Sequence, residues 1–383
     1  MGETRQLAAA ASRRLLARVR RLVVKVGSGL IASPGIGLDP ERIARLADDL
    51  ACVVGGGKEV VLVSSGAIAA GMARLGFTER PRSIPEKQAA AAVGQSALMW
   101  HYEQAFARHG LKVAQVLLTQ DDISHRSRYL NARNTLLTLL EFRVIPIVNE
   151  NDTVAVDEIK VGDNDNLAAL ASHLIDADLL VLLTDVEGLY TGDPRRNPAA
   201  RKIEVVEALS EEIERLAQDG DGTISVGGMS TKLQAAKKAM TSGIPMVIAS
   251  GQKADTLQRL LSGEPVGTVF VPKADRLRAR KRWLAFAAPP QGRLTVDAGA
   301  KRALTERGKS LLPSGVAAVE GEFQAGELVV LATADGKEFA RGLTNYDAEE
   351  LKRIRGAKTT AIEGILGYKG LDEVIHRDNL AIL

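Results

Sequence analysis

The sequence has almost no cysteine, few histidines and no long apolar run. Its single cysteine, Cys52, excludes an internal disulfide, and its apolar, helix-like neighbours predict a buried and unreactive thiol. The five histidines show no paired zinc-ligand spacing, so we predict no metal site made of protein side chains. No apolar segment approaches the roughly 18 residues of a membrane span, and there is no signal-peptide pattern, so we expect no membrane attachment.

Neither sign of charge is in excess. The chain has 50 Lys and Arg against 47 Asp and Glu, a net charge of +3, which argues against a surface built wholly for nucleic acid. With 383 residues and a 45% hydrophobic fraction, two domains are expected. The first twenty residues are rich in Ala and Arg, with Glu3 as their one acid, which is typical of a transit peptide or of an extension before the first strand. We predict a cytoplasmic protein.

From Leu22 onward, apolar strand-like runs alternate with helical stretches such as Glu41–Val54. The candidate strands are Leu22–Val26, Val60–Val63, Val113–Leu118, Val144–Val148 and Leu179–Leu183. Continuous apolar strands between helices indicate an α/β fold with a mostly parallel sheet sandwiched by helices. Ligands of such sheets bind beyond the carboxyl ends of the strands.

Polar side chains are concentrated where these strands end. The run Asp163–Asn166 follows Gly162 directly and precedes an Ala- and Leu-rich helix. Short Asp and Asn side chains can simply cap a helix. However, a second polar cluster, Asn149–Asp152, follows the strand Val144–Val148. Two such clusters at the carboxyl ends of parallel strands indicate a ligand site.

Glycines and lysines indicate that the ligand is an anion. Gly27 and Gly66 follow strands directly, and Ser225–Lys232 opens a helix, so backbone N–H groups can approach a phosphate. Neither a Walker loop nor the dinucleotide motif G-x-G-x-x-G is present; Gly55–Lys58 lacks the earlier glycine and is followed by an acid. Lys25 lies in a strand with both faces covered and needs a charged partner, which a phosphate would supply.

The order of these motifs resembles that of the amino acid kinase family, and in particular its glutamate-phosphorylating members. The resemblance spans Leu22 to Val271. The motifs that carry it are Lys25–Ser28, Ser64–Ile68, Asn149–Asp152, Val161–Leu167, Leu183–Tyr190 and Gly227–Lys232. The resemblance implies the amino acid kinase fold, and the pair Asn149–Asp152 and Gly162–Asn166 points to glutamate.

The implied activity is ATP-dependent phosphorylation of the γ-carboxylate of L-glutamate to L-glutamyl 5-phosphate, at the entry to proline synthesis. Mg²⁺ would be carried by the phosphates of ATP. A carboxylate with a pKa near 4.3 is already ionised at pH 7, so the reaction requires no general base. It requires charge neutralisation on the transferring phosphoryl group, which lysines and backbone donors supply.

The resemblance also implies residue roles. Lys25 would contact the transferring phosphoryl group and Lys232 the nucleotide, with Asp165 holding both ammonium groups. Gly27 and Gly66 would offer backbone donors. Glutamate binding would fall to Ser65, Asp152 and Asn164. The residues implied for the nucleotide are Lys25, Thr184, Asp185, Val226, Gly227, Gly228, Met229, Ser230, Thr231 and Lys232. This chain departs from the family at Ser225-Val226, where Gly-Thr is common, so the resemblance does not define the loop geometry and nucleotide contacts at these two positions.

After Val271 the sequence changes character. Lys273–Arg282 holds six basic residues and one acid, as in an exposed linker. Three later segments resemble the PUA domain, a small β-barrel-like module, up to about Ile354: Gly292–Ala300, Gly308–Val316 and Ala340–Leu343. Lys273–Leu383 has 19 basic and 15 acidic side chains, a weak excess for an RNA-binding domain. RNA contact by this module is nevertheless a prediction that the resemblance carries.

These observations predict an N-terminal extension at residues 1–20, a kinase domain at 21–272, a basic linker at 273–282 and a PUA domain with a tail at 283–383. The resemblance implies a homo-oligomer built through the kinase domain and feedback inhibition by proline. Two alternatives stay open: a kinase of another small acid such as acetylglutamate or aspartate, and an RNA-binding protein whose α/β body senses a ligand. The joint presence of Lys25, Asp165 and Lys232 favours a kinase, because sensing does not require two cations at a reacting centre.

Overall fold

The computed structural model describes residues 16, 18–33, 37–124, 126–155, 164–192, 194, 197–216, 228–272, 290–368 and 370–383. Residues 1–15, the linker 273–282, Val226 and Gly227 lie outside this description. The chain divides into two compact units, Met1–Gln120 with Arg133–Ala274, and Asp121–Ala132 with Asp275–Leu383. The domain boundaries drawn from the sequence stay predictions.

Within the described residues, the first unit is built on an eight-stranded sheet in the order β5-β6-β4-β1-β7-β9-β10-β8. Its strands are β1 (Arg21–Val26), β4 (Glu59–Ser64), β5 (Lys112–Leu118), β6 (Val144–Glu150), β7 (Leu179–Thr184), β8 (Val205–Val206), β9 (Met246–Ser250) and β10 (Thr268–Phe270). The short strands β2 (Ala32–Ser33) and β3 (Gly37–Leu38) pair with each other. In the sheet, the neighbouring strands β5, β6, β4, β1, β7 and β9 are all parallel, and β10 runs antiparallel to β9. The predicted mostly parallel sheet is confirmed.

Helices connect these strands. They are α1 (Ser28–Ile31), α2 (Pro40–Gly55), α3 (Ala67–Leu75), α4 (Ile84–Ala107), α5 (Gln120–Ser124), α6 (Arg126–Glu141), α7 (Asn164–Leu174), α8 (Glu211–Leu216), α9 (Met229–Thr241) and α10 (Thr256–Leu261). The predicted helix Glu41–Val54 falls within α2, which starts where Asp39 accepts hydrogen bonds from two backbone N–H groups and proline occupies the first turn. Strand β7 is buried along its whole length, as a continuous apolar run requires.

The prediction of a buried Cys52 is wrong, because this thiol is exposed on α2. The buried side of α2 is formed by Ile43, Ala47, Leu50 and Val53. Cys52 is nine residues after Ile43, which at about 100° per residue places it on the opposite side of the helix. Apolar neighbours in the sequence therefore did not indicate which face of the helix it occupies.

Two glycines bring α3 and α4 into direct backbone contact. A Cβ atom on Gly71 would lie 1.7 Å from the carbonyl oxygen of Ala90, and one on Gly94 would lie 1.8 Å from that of Ala67. Since α3 begins directly after the end of β4, this contact fixes α4 beside the carboxyl edge of the sheet. The backbone of Gly66, which precedes α3, has a positive φ of 114° that other residues rarely adopt.

The second unit has its own sheet and core. Among its described residues the sheet has five strands in the order β12-β11-β13-β14-β15. These are β11 (Gly292–Val296), β12 (Val316–Gly321), β13 (Leu328–Ala332), β14 (Glu338–Leu343) and β15 (Leu380–Ile382). The helices α11 (Ala298–Arg307), α12 (Ala348–Ile354) and α13 (Ile362–Leu366) accompany it. Leu294, Val329 and Leu351 belong to one core cluster here, so the predicted small β-rich module is confirmed.

In the described part of the chain, no helix is both long enough and apolar enough to cross a membrane.

The contact between α3 and α4 leads to a stability prediction. Gly71→Ala and Gly94→Ala should each lower the free energy of unfolding by about 1–3 kcal/mol or more, because backbone atoms cannot give way as side chains do. Gly55→Ala is the matched control: it also lies in a helix of this unit, but nothing lies within 4 Å of an added Cβ. Urea unfolding measures all three, and losses at Gly71 and Gly94 no larger than that at Gly55 would contradict the prediction.

Candidate active site

The carboxyl ends of four neighbouring parallel strands form one edge of the sheet. In the register of the central strands, Val26 at the end of β1 pairs with Ser64 of β4 and with Leu183 of β7. Strand β6 lies beyond β4 and continues into the polar residues after Glu150. The sequence clusters at Lys25, Ser65, Asn149–Asp152 and Thr184 are thus all at this edge.

A buried carboxylate between two lysines lies at the centre of this edge. Asp165 has no exposed surface, and Lys25 and Lys232 are only 5% and 6% exposed. The Lys25 ammonium pairs with Oδ1 of Asp165, while Nζ of Lys232 lies 3.1 Å from Oδ2. The hydroxyl of Thr231 donates to the same Oδ2 at 3.2 Å. The structure therefore brings together three residues that lie far apart in the sequence.

Among the described side chains of this cluster, two ammonium groups face one carboxylate. Burial by itself would raise the pKa of Asp165, but the adjacent ammonium groups of Lys25 and Lys232 hold it below its ordinary value. Asp165 is thus ionised at neutral pH. The ammonium groups of Lys25 and Lys232 beside it are suited to bind an anionic ligand.

Asn164 precedes Asp165 at the start of α7 and is 7% exposed. The two hydrogens of its Nδ2 are shared among three acceptors, the backbone oxygen of Ser64 at 3.1 Å, Oγ of Ser65 at 2.9 Å and Oδ1 of Asn149 at 2.8 Å. Its Oδ1 is buried and has no hydrogen-bond partner in the described part of the chain. A buried acceptor without a partner costs free energy, so this oxygen indicates that a donor binds there.

Asp152 lies in the turn that follows β6 and is half-buried. Burial raises the pKa of its carboxyl group to about 6, well above the usual value for aspartate. Gly66 follows the end of β4 beside Ser65, and Gly27 follows Lys25 at the end of β1. A Cβ atom on Gly27 would lie 3.9 Å from the Lys25 ammonium, so this glycine leaves space beside the charged cluster.

Among the residues predicted for the nucleotide that the structure describes, Lys25 is on β1, Thr184 and Asp185 are at the end of β7, and Gly228–Lys232 are at the start of α9. The hydroxyl of Thr184 donates to the carboxylate of Asp185 at 3.0 Å, directly after the buried strand β7. Gly228 precedes α9, and no described side chain caps this helix start. Met229 and Ser230 form its first turn before Thr231 and Lys232. A helix N-terminus with a lysine in its first turn is favourable for phosphate.

Two polar residues of this edge were not among the predicted site residues. Asn149 ends a predicted strand and donates through Nδ2 to Oε1 of Gln95 at 2.9 Å. Gln95 comes from α4, where it lies in an Ala-rich stretch next to Gly94. A polar side chain in such a stretch was the only sequence signal for Gln95, whereas Asn149 belongs to a cluster that the sequence had already singled out.

This parallel α/β fold is shared with a known class of proteins. The model of the amino acid kinase family matches residues 20–250, and the chain belongs to this family. The PUA domain model matches residues 292–366.

Curated relatives extend the comparison over nearly the whole chain. The glutamate 5-kinase of Citrifermentans bemidjiense is 52% identical over 96% of this chain and 99% of its own. The glutamate 5-kinase of Ralstonia nicotianae is 54% identical over 97% of this chain and 100% of its own. A solved structure, the carbamate kinase from Giardia lamblia bound to AMP-PNP, is similar at 19% identity with a TM-score of 0.48, over 67% of this chain and 100% of its own.

The buried cluster leads to a second stability prediction. Asp165→Asn keeps the side-chain size but removes the carboxylate that both buried ammonium groups contact, so the free energy of unfolding should fall by about 3–5 kcal/mol. The matched control is Glu187→Gln, which removes the carboxylate of an exposed ion pair with Lys253 and should cost no more than about 1 kcal/mol. Urea unfolding at pH 7 compares them, and equal losses would show that Asp165 does not neutralise the lysines.

Proposed function

We propose that this protein is an ATP-dependent kinase that phosphorylates the γ-carboxylate of L-glutamate, giving L-glutamyl 5-phosphate, the first step of proline biosynthesis. The observation that carries the proposal is the buried group Lys25–Asp165–Lys232 beside Oδ1 of Asn164, which has no hydrogen-bond partner among the described residues. The glutamate 5-kinase relatives, at about half identity over nearly the full chain, support the same substrate.

The geometry suits transfer of a phosphoryl group to a carboxylate. The nucleophile is ionised at neutral pH, so the site needs no base to activate it. Charge on the transferring group must be neutralised from both sides as it moves between two anions. In our proposal Lys25 does this near glutamate and Lys232 near the nucleotide, while Asp165 keeps both ammonium groups in place. Backbone N–H groups at Gly27 and Gly66 supply further hydrogen-bond donors.

Glutamate is proposed to bind on the Asn164 side of the cluster. Its α-ammonium can donate to Oδ1 of Asn164 and to the Asp152 carboxylate, both of which are acceptors in a buried or half-buried setting. The Ser65 oxygen accepts from Asn164, so its own hydroxyl hydrogen can be donated to a glutamate oxygen.

ATP is proposed to bind through Thr184, Asp185 and the start of α9. The start of α9 at Gly228, which no described side chain caps, and the Lys232 ammonium fit a polyphosphate, because they offer donors and positive charge at one place. Val226 and Gly227 stay in the proposal from the sequence alone. Mg²⁺ is proposed to arrive on the phosphates of ATP, where it neutralises part of their charge.

Several partner predictions accompany this function. RNA contact by the PUA domain, a homo-oligomer formed through the kinase domain, feedback inhibition by proline and a cytoplasmic location all stay predictions. ATP turnover across glutamate, aspartate and N-acetylglutamate tests the substrate directly. Glutamate should be preferred; turnover only with another acid, or with none, would overturn the proposal.

The two lysines give the first activity prediction. Lys25→Ala and Lys232→Ala should each lower kcat by roughly 10²–10³-fold, the usual loss when one charge-stabilising donor is removed. Lys237→Ala is the control, because Lys237 lies on the same helix as Lys232 but is 70% exposed and pairs with Glu214. Glutamate-dependent ADP formation is measured at saturating substrates; a near wild-type kcat for either lysine variant would refute its assigned role.

Asp152 gives a prediction about pH. Because burial raises the pKa of Asp152 to about 6, its carboxyl group takes up a proton as the pH falls through that value and attracts an ammonium group less. The kcat/KM for glutamate should therefore fall about tenfold per pH unit below that point.

In Asp152→Asn, the kcat/KM for glutamate should be low already at pH 7 and nearly flat between pH 7 and pH 5. The kcat/KM for ATP in the wild type serves as the internal control for general acid inactivation. A glutamate profile that is identical in the wild type and in Asp152→Asn would exclude Asp152 as the titrating group.

A further inference from the structure

We infer that Gln95 is a positioning residue: it holds the Asn149 amide and thereby orients Asn164 so that Oδ1 of Asn164 faces the amino-acid substrate. The inference rests on the proposed function, since the donor expected at that oxygen is the α-ammonium of glutamate. Gln95 lies on α4, which packs closely against α3 through the backbone contacts at Gly71 and Gly94.

The orientation of this amide chain can be assigned from one unambiguous group. The backbone oxygen of Ser64 can only accept, so the Asn164 atom 3.1 Å from it must be Nδ2. The same Nδ2 lies 2.8 Å from Asn149, which must therefore present its Oδ1. Nδ2 of Asn149 is then a donor on the other side, and its acceptor is Oε1 of Gln95 at 2.9 Å.

This orientation leaves an unpartnered atom at each end of the chain. Among the described residues, Oδ1 of Asn164 and Nε2 of Gln95 are both buried without a hydrogen-bond partner. Such atoms are unfavourable for stability, so packing alone does not explain the arrangement. It does have one chemical consequence, which is that Asn164 offers the substrate an acceptor.

Loss of the Gln95 acceptor should release this constraint. Nδ2 of Asn149 would then lack its partner, and rotation of the Asn149 amide would place two NH₂ groups against each other at Asn164. The bond between Asn164 and the substrate ammonium should weaken, while the nucleotide side, which is formed by other elements, should not respond. We therefore expect a change in the KM for the amino acid and none in the KM for ATP.

The test compares substitutions at Gln95 in the full-length protein. Gln95→Met removes the acceptor at similar length, and Gln95→Glu retains an oxygen acceptor for Asn149. Gln104→Leu is the matched control, because Gln104 is exposed on the same helix. Gln95→Ala repeats the loss with a smaller side chain in case the Met variant does not fold. KM for glutamate, KM for ATP and kcat are measured for each variant.

Gln95→Met should raise the KM for glutamate about tenfold or more, the size of effect expected when one buried hydrogen-bond partner is lost. Its KM for ATP should stay within about twofold of wild type, and Gln95→Glu should restore the KM for glutamate to within about threefold. Glutarate, which lacks the α-ammonium, gives a second measurement. The preference in kcat/KM for glutamate over glutarate should shrink in Gln95→Met and persist in Gln95→Glu and Gln104→Leu.

The outcomes separate the two proposals. Wild-type protein that does not turn over glutamate refutes the proposed function. If the wild type is active but Gln95→Met keeps its KM for glutamate, raises both KM values equally or retains the full preference over glutarate, then the positioning role is wrong. Gln95→Glu behaving like Gln95→Met would equally overturn it, because the acceptor would not be what matters.

Discussion

The buried pairing of Asp165 with Lys25 and Lys232 is the interaction on which the rest of the site depends. Each partner comes from a different element: Lys25 from β1, Asp165 from the start of α7 and Lys232 from the first turn of α9. An ammonium group enclosed without a carboxylate is strongly unfavourable. The pairing therefore holds one strand and two helix starts in a fixed relation, and it places two ammonium groups where an anion is favoured.

The start of α7 serves two purposes through two consecutive residues. Asp165 faces the lysines, whereas Asn164 joins the amide chain that includes Asn149 and reaches Gln95. One helix start thus links the proposed glutamate side to the charged centre. Both residues belong to the same helical turn. The helix backbone would therefore resist any shift that improved the contacts of Asp165 and weakened those of Asn164, or the reverse.

Much of the fold could be predicted from the sequence because the strands are continuous apolar runs, such as Leu179–Leu183, whose burial leaves little choice of structure. Lys25 was conspicuous for the same reason, as a charge in such a run. The side on which a helical residue lies was harder to predict, as Cys52 shows. Gln95 could not be found from spacing, because its partner Asn149 is 54 residues away and the two meet only in the folded chain.

The glycine contacts between α3 and α4 bear on how this site can change. Where backbones touch directly, no side chain is available to repack, so the two helices behave as one body. Ser65, two residues before α3, and Gln95 on α4 would then move together, and they are joined by hydrogen bonds that run through Asn164 and Asn149. A redesign of amino-acid selectivity would therefore have to change the side chains carried by α3 and α4, since the distance between the two helices cannot be adjusted in small steps.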